Sequence, residues 1–332
     1  MLDQWLDMTL NDKAPPVYSG ALASASYRLH APGVLELVPD TRATNARACV
    51  FSAAVHGNET APVELIGELL AAIEAGTLRL GAPLLVMLGN IPALRAGTRY
   101  ITTNLNRLFK RGLDTAGSEP DRARELIARV DAFYARHSAL PPLHYDLHTA
   151  IRESLYPRFA VVPYSSTPTA PEQWEWLAAA GIQAVLDQHC HSWTLSHYSR
   201  HYHGAQAFTL ELGRVAPFGG NDLAALGPML GLLKALAGGA IPARAPADTM
   251  DFFRVEREVR RESDEFCLCF ADDTPNFTAF APGTRLARDA RTGDTVVDHT
   301  PLHVVFPNAR VEIGARAALL ATAAAPPNTK VE

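Results

Sequence analysis

The chain has 332 residues, 48% hydrophobic and 20% charged, which is long and apolar enough for one large domain plus a smaller one and excludes intrinsic disorder. A formal net charge of -5 lacks the basic excess of a nucleic-acid binder, so no nucleic-acid partner is expected. No apolar run is long enough to span a bilayer, and Met1-Leu2-Asp3-Gln4-Trp5-Leu6-Asp7 lacks the basic start and apolar region of a signal peptide. Neither a membrane partner nor export is therefore expected. Four cysteines do not form a disulfide framework, and Cys267 and Cys269 are too close together for a zinc knuckle. All four read as thiols in a reducing cytoplasm.

Residues 24–29 and 33–38 alternate in the manner of antiparallel edge strands. From residue 48 to 239, strands alternate with helices. The apolar run 48–55 reads as a buried strand and 61–74 as a helix. Residues 83–88 form a strand ending at Gly89-Asn90. The spacing of Leu126, Ile127, Val130 and Phe133 predicts a helix over 121–138. Residues 159–162 and 182–186 read as further strands, with helices over 171–180 and 222–237. This alternation implies an α/β fold, with a central sheet flanked by helices. The composition shifts in 238–246, which reads as a linker. Beyond it, short alternating runs separated by Pro and Gly predict a smaller C-terminal β domain. The expected division is 1–240 and 241–332.

The strand over 48–55 leads into His56-Gly57-Asn58-Glu59, and another apolar run ends in Tyr145-Asp146-Leu147-His148-Thr149. Strand ends are where open α/β sheets place their sites. His56, Glu59 and His148 can converge on one divalent ion per chain. Two His and one carboxylate leave a further coordination position open, the pattern of catalytic rather than structural zinc. A lone His-x-x-Glu is more often a solvated turn; the strand context and the Asp-Leu-His run favour the metal. Asp146 lies on the face of His148, where it can orient the imidazole. Glu211 ends the apolar run Phe208-Thr209-Leu210-Glu211. It is the candidate general base, the competing reading being a structural ion pair with a residue such as Arg214. Arg99 and the stretch Asn104-Leu105-Asn106-Arg107 offer one Arg to polarise a carbonyl and another to grip a substrate carboxylate, the competing reading being surface salt bridges. Arg152 is a weaker candidate for a second carboxylate. His189-Cys190-His191, with His197, His201 and His203, reads as a surface or lid loop with no convincing ligand register, incidental metal affinity being the minority reading.

In order along the chain, His56-Gly57-Asn58-Glu59, Arg99-Tyr100, Asn104-Leu105-Asn106-Arg107, Asp146-Leu147-His148-Thr149 and Glu211-Leu212-Gly213 resemble the succinylglutamate desuccinylase and aspartoacylase group, within the wider zinc carboxypeptidase-like fold. The similarity extends over roughly residues 45–320. It implies zinc on His56, Glu59 and His148, and Glu211 as general base. It also implies Arg99 at the amide carbonyl, Asn106 and Arg107 on a substrate carboxylate, and a C-terminal β domain over the pocket. Thr149-Ala150-Ile151-Arg152 resembles the desuccinylase branch. The implied reaction is hydrolysis of N-succinyl-L-glutamate, a small N-acyl acidic amino acid, to succinate and L-glutamate, the last step of the succinyltransferase route of arginine breakdown. The alternatives are an aspartoacylase-like deacylase, a zinc carboxypeptidase, or, remotely, a non-catalytic metal-binding protein. A homo-oligomer is left open, because no interface pattern stands out.

Overall fold

The computed structural model describes residues 2–11, 13 and 18–327. In chain order it contains α1 (Leu2–Leu10), β1 (Ser19–Ala21), β2 (Ala25–Ala31), β3 (Val34–Pro39), β4 (Ala48–Ala53), α2 (Ala61–Glu74), β5 (Leu84–Leu88) and α3 (Ile91–Ala96). There follow α4 (Ser118–Arg136), β6 (Pro142–Ala150), β7 (Arg158–Val162), α5 (Pro171–Ala179), β8 (Ala184–Asp187), α6 (Leu195–His203), β9 (Gln206–Arg214) and α7 (Gly227–Ala237). The C-terminal part adds β10 (Asp251–Arg260), β11 (Cys267–Leu268), β12 (Thr278–Phe280), β13 (Arg285–Asp289), β14 (Gly293–Val296), β15 (Leu302–Val305) and β16 (Arg316–Ala323).

One mixed sheet runs β1-β2-β3-β5-β4-β6-β9-β7-β8-β10-β16-β15-β12, and β11-β13-β14 form a small second sheet. The centre, β5-β4-β6-β9, is parallel. Its strands are buried along nearly their whole length because helices cover both faces. Phe51, Leu143, Tyr145 and Leu147 point into a core shared with α2, α5 and α7. Val50 and Ala207 point the other way, into a core shared with α4 and α6. Strand pleating therefore puts His144, Asp146 and His148 on the α4/α6 side, opposite the apolar Leu143, Tyr145 and Leu147.

The mixed α/β architecture agrees with the sequence reading, and several helix ends move. The helix expected over 121–138 begins earlier, at Ser118. The helix expected over 222–237 splits into a 3-10 turn, Ala224–Leu226, and α7, with Pro228 at the start of α7. The histidine-rich segment, expected as a loop, contains α6 instead. Thr194 caps that helix by accepting a hydrogen bond from the His197 N–H at 3.2 Å. Residues 240–246 carry no regular structure. After them, β10 bonds in parallel to β8, so the C-terminal strands extend the central sheet.

Candidate active site

His56, Glu59 and His148 meet at the C-terminal ends of β4 and β6. His56 and Glu59 sit on the turn between β4 and α2, and that turn packs against α3. A Cβ on Gly57 would lie 2.1 Å from the Ala93 carbonyl carbon, so only glycine fits. The Gly57 N–H donates to the Arg99 carbonyl at 3.1 Å, which ties the turn to the next loop.

All three side chains are buried, and their ligand atoms lie within 4.8 Å of one another. Glu59 stands between the two imidazoles. Its Oε1 is 2.8 Å from His56 Nδ1 and its Oε2 is 2.8 Å from His148 Nδ1. The far nitrogens face acceptors: His56 Nε2 lies 3.1 Å from Asn104 Oδ1, and His148 Nε2 lies 3.1 Å from Asp146 Oδ2. With Nε2 of each ring turned outward, both Nδ1 atoms face the Glu59 carboxylate, where a proton or a metal ion can sit between them. Two lone pairs and a carboxylate converging in a buried place require positive charge between them. A divalent metal meets that demand, and the nitrogen and oxygen donor set suits zinc. The charges of the cluster agree. Burial would push the Glu59 carboxyl up, but His56 and His148 hold it well below the usual range. Burial would lower His148, but Asp146 and Glu59 raise it well above its ordinary value.

A buried polar row supports His148. Ser52 Oγ donates to Asp146 Oδ1 at 2.5 Å and lies 2.8 Å from His144 Nε2, and His144 Nδ1 lies 2.7 Å from Ser199 Oγ. Burial lowers His144 to about 4, with Asp146 opposing, so it is neutral and can link the hydroxyls. The shared face of Asp146 and His148 was legible in the sequence; the part played by His144 was not. Nor were the partners Ser52 and Ser199, from other elements.

Glu211 stands beside His148 in the β6–β9 register. Its Oε2 is buried and has no hydrogen-bond partner. Burial pushes its carboxyl up to about 7, against the pull of His148 and with the push of Glu59. Arg214 does not neutralise it; Arg214 pairs with Glu153 at 2.5 Å on the surface.

The loop after α3 brings in the remaining candidates. Arg99 Nη1 donates to Glu59 Oε1 at 3.0 Å. Asn106 is buried; its Oδ1 accepts from the Leu195 N–H at 3.1 Å and its Nδ2 lies 3.5 Å from His148 Nε2. Arg107 is exposed, and its Nη1 donates to the Asn106 carbonyl at 2.6 Å. Arg152 is half-buried on the bend beyond β6, and among the described residues no hydrogen bond or ion pair joins it to the cluster. Two charged residues that the sequence did not single out approach from the C-terminal strands. Arg316 and Glu258 both interact by charge with Arg107. No motif announces them, because only the pairing of β10 with β16 carries them there.

Glu119, in the first turn of α4, pins this loop. It accepts from the Ile101 N–H at 2.8 Å, the Thr102 N–H at 3.0 Å and Thr102 Oγ1 at 2.7 Å.

Residues 45–233 match the succinylglutamate desuccinylase/aspartoacylase catalytic domain, and residues 248–324 match the AstE/AspA barrel-sandwich hybrid domain. The chain is 38% identical over 323 residues to a succinylglutamate desuccinylase of Yersinia pestis, covering 96% of both chains. A solved succinylglutamate desuccinylase from Vibrio parahaemolyticus superposes with a TM-score of 0.89 at 33% identity, covering 96% of this chain and 94% of that one. The enzyme of the same name from Chromobacterium violaceum gives a TM-score of 0.84 at 35% identity over 98% of both chains. This chain therefore belongs to the succinylglutamate desuccinylase/aspartoacylase family of hydrolases.

Proposed function

We propose that the protein is a zinc-dependent amidohydrolase that cleaves N-succinyl-L-glutamate to succinate and L-glutamate, the last step of the succinyltransferase route of arginine breakdown. One observation carries this reading: a buried Glu211 carboxylate with an unpartnered oxygen stands next to His148 of the His56–Glu59–His148 cluster. A carboxylate left unpartnered in a protein interior is costly as structure and useful as a base. The names of relatives at 33–38% identity favour the succinyl substrate over other acyl groups.

Zinc bound at His56, Glu59 and His148 would supply Lewis acidity toward water and the scissile carbonyl. Glu211 accepts the proton of the attacking water and returns it to the leaving nitrogen, a task suited to a carboxyl whose pKa is near neutrality. Arg99, which still has N–H groups beyond its bond to Glu59, donates to the carbonyl oxygen as negative charge builds on it. Asn106 and Arg107 bind one substrate carboxylate. Arg316, from β16, takes another, with Arg152 as a weaker candidate. A substrate with three carboxylates suits a pocket with several guanidinium groups. In the same proposal, 1–240 is the catalytic domain and 241–332 the β-rich domain covering the site. The protein works in the cytoplasm, a setting that suits its four free thiols.

The test is release of glutamate from N-succinylglutamate by purified protein, with and without zinc, alongside acetylaspartate. Zinc-dependent release from the succinyl compound alone is expected. Turnover of acetylaspartate instead would move the chain to the aspartoacylase-like reading. Hydrolysis of neither by zinc-loaded protein would overturn the substrate assignment.

A further inference from the structure

A second group of imidazoles lies outside the catalytic cluster. His197 and His201 are four residues apart on α6 and so share one face, one turn apart. Their rings stack with centroids 5.4 Å apart and planes 14° apart. The chain before α6 turns through Trp193, which has φ +53, and folds His191 back over this face. His191 Nδ1 then lies 2.9 Å from His197 Nε2, and its ring centroid is 5.0 Å from that of His201. Ligand nitrogens of all three fall within 4.8 Å of one another. His197 is fully buried, and its Nδ1 has no hydrogen-bond partner.

The nearby histidine His203 behaves differently. It pairs with Asp131 at 2.6 Å, as a structural histidine does. The three converging imidazoles have no carboxylate partner among the ion pairs of the described residues. Aromatic rings instead fix their orientation: Trp193 stacks on His191 at 5.0 Å, and Tyr164 meets its edge at 5.2 Å. His191 and His201 remain exposed, which gives an ion a route in.

We propose that His191, His197 and His201 form a second metal site, distinct from the His56–Glu59–His148 cluster, for a borderline divalent transition ion such as Zn2+ or Ni2+. Three imidazoles suit such ions and leave a coordination position for water. The site fastens the segment before α6 onto the helix. The Trp193 carbonyl in that segment accepts from the Phe109 N–H at 3.1 Å, and the Leu195 N–H holds Asn106. The ion therefore steadies the backbone next to the catalytic loop without touching substrate.

The test is a metal count on the whole chain. Metal-free protein is loaded with Zn2+, and separately with Ni2+, then freed of unbound ion and analysed by atomic spectrometry. Two ions per chain are expected for the unaltered protein. One is expected for His191→Ala, for His201→Ala and for His56→Ala, and none for His56→Ala combined with His201→Ala. The two surface variants remove exposed rings, so folding is retained and checked by circular dichroism. Titration with Ni2+ should also quench Trp193 fluorescence in the unaltered protein and not in His201→Ala. One ion per chain in the unaltered protein with both metals overturns the proposal. So does retention of two ions in both surface variants. Neither result bears on the hydrolase reading, which glutamate release tests separately.

Discussion

At the scale of the residue, Glu211 carries opposing demands. Its folded-state pKa is raised from 4.5 to about 7, chiefly by burial. A carboxyl with a raised pKa binds its proton more tightly in the folded than in the unfolded chain. The metal-free protein is thus favoured most below pH 4.5, and that advantage is lost as pH rises through 4.5 to about 7. The difference amounts to about 3 kcal/mol. Glu211→Gln should therefore raise the melting temperature of metal-free protein by a few degrees at pH 8, with little gain at pH 5. The same variant should lose roughly 100- to 10,000-fold in kcat, because its amide cannot accept a proton, while bound zinc stays unchanged. Full turnover at normal zinc content would remove Glu211 from the mechanism. The sequence made this residue legible through its place at the end of an apolar run. The empty oxygen and the failure of Arg214 to reach it needed the three-dimensional arrangement.

At the scale of the element, one carboxylate pins the start of the loop 97–117, which carries Arg99, Asn106 and Arg107, the residues proposed to meet substrate. Burial would raise the Glu119 pKa, but hydrogen bonds from the Thr102 side chain and from the Thr102 and Ile101 amides hold it at about 2. A depressed carboxyl contributes stability that is present above pH 4.5 and lost as pH falls toward 2. Glu119→Ala leaves those donors unpaired, at a cost of about 1–3 kcal/mol. The proposed metal ligands come from other segments, so zinc content should hold while KM for succinylglutamate rises about tenfold. Loss of zinc instead would mean that the loop supports the ligands themselves. The stability difference from the unaltered protein should shrink below pH 4.5, which acid unfolding would read out. The motif Asn104-Leu105-Asn106-Arg107 was legible because its residue types suit anion binding. The pin was hidden because Glu119 lies in the ordinary acidic first turn of a helix. Likewise, the histidines around 191–203 looked unregistered until α6 put His197 and His201 on one face.

At the scale of the whole molecule, the pocket is assembled by segments far apart in sequence. The parallel register of β4, β6 and β9 fixes Ser52, Asp146 and Thr209 in one row and His148 beside Glu211 in the next. Runs rich in apolar residues made those strands readable, because a sheet covered by helices on both faces buries nearly every side chain. The contribution of the C-terminal strands was not readable. Arg316 lies in a run, Arg316-Ala317-Ala318-Leu319, with no motif around it, and only the antiparallel pairing of β16 with β10 sets it near Glu258 and Arg107. If Arg316 grips a substrate carboxylate without touching the scissile bond, its loss weakens ground state and transition state alike. Arg316→Ala should then raise KM for N-succinylglutamate roughly tenfold to a hundredfold, the size of a lost charge-assisted hydrogen bond, with kcat changed little. Arg316→Lys should recover part of the loss, since it keeps the charge but not the forked geometry. Steady-state kinetics on the three proteins distinguishes the cases. A fall in kcat with KM unchanged would place Arg316 in the chemistry rather than in binding, and no change in either would remove it from the pocket.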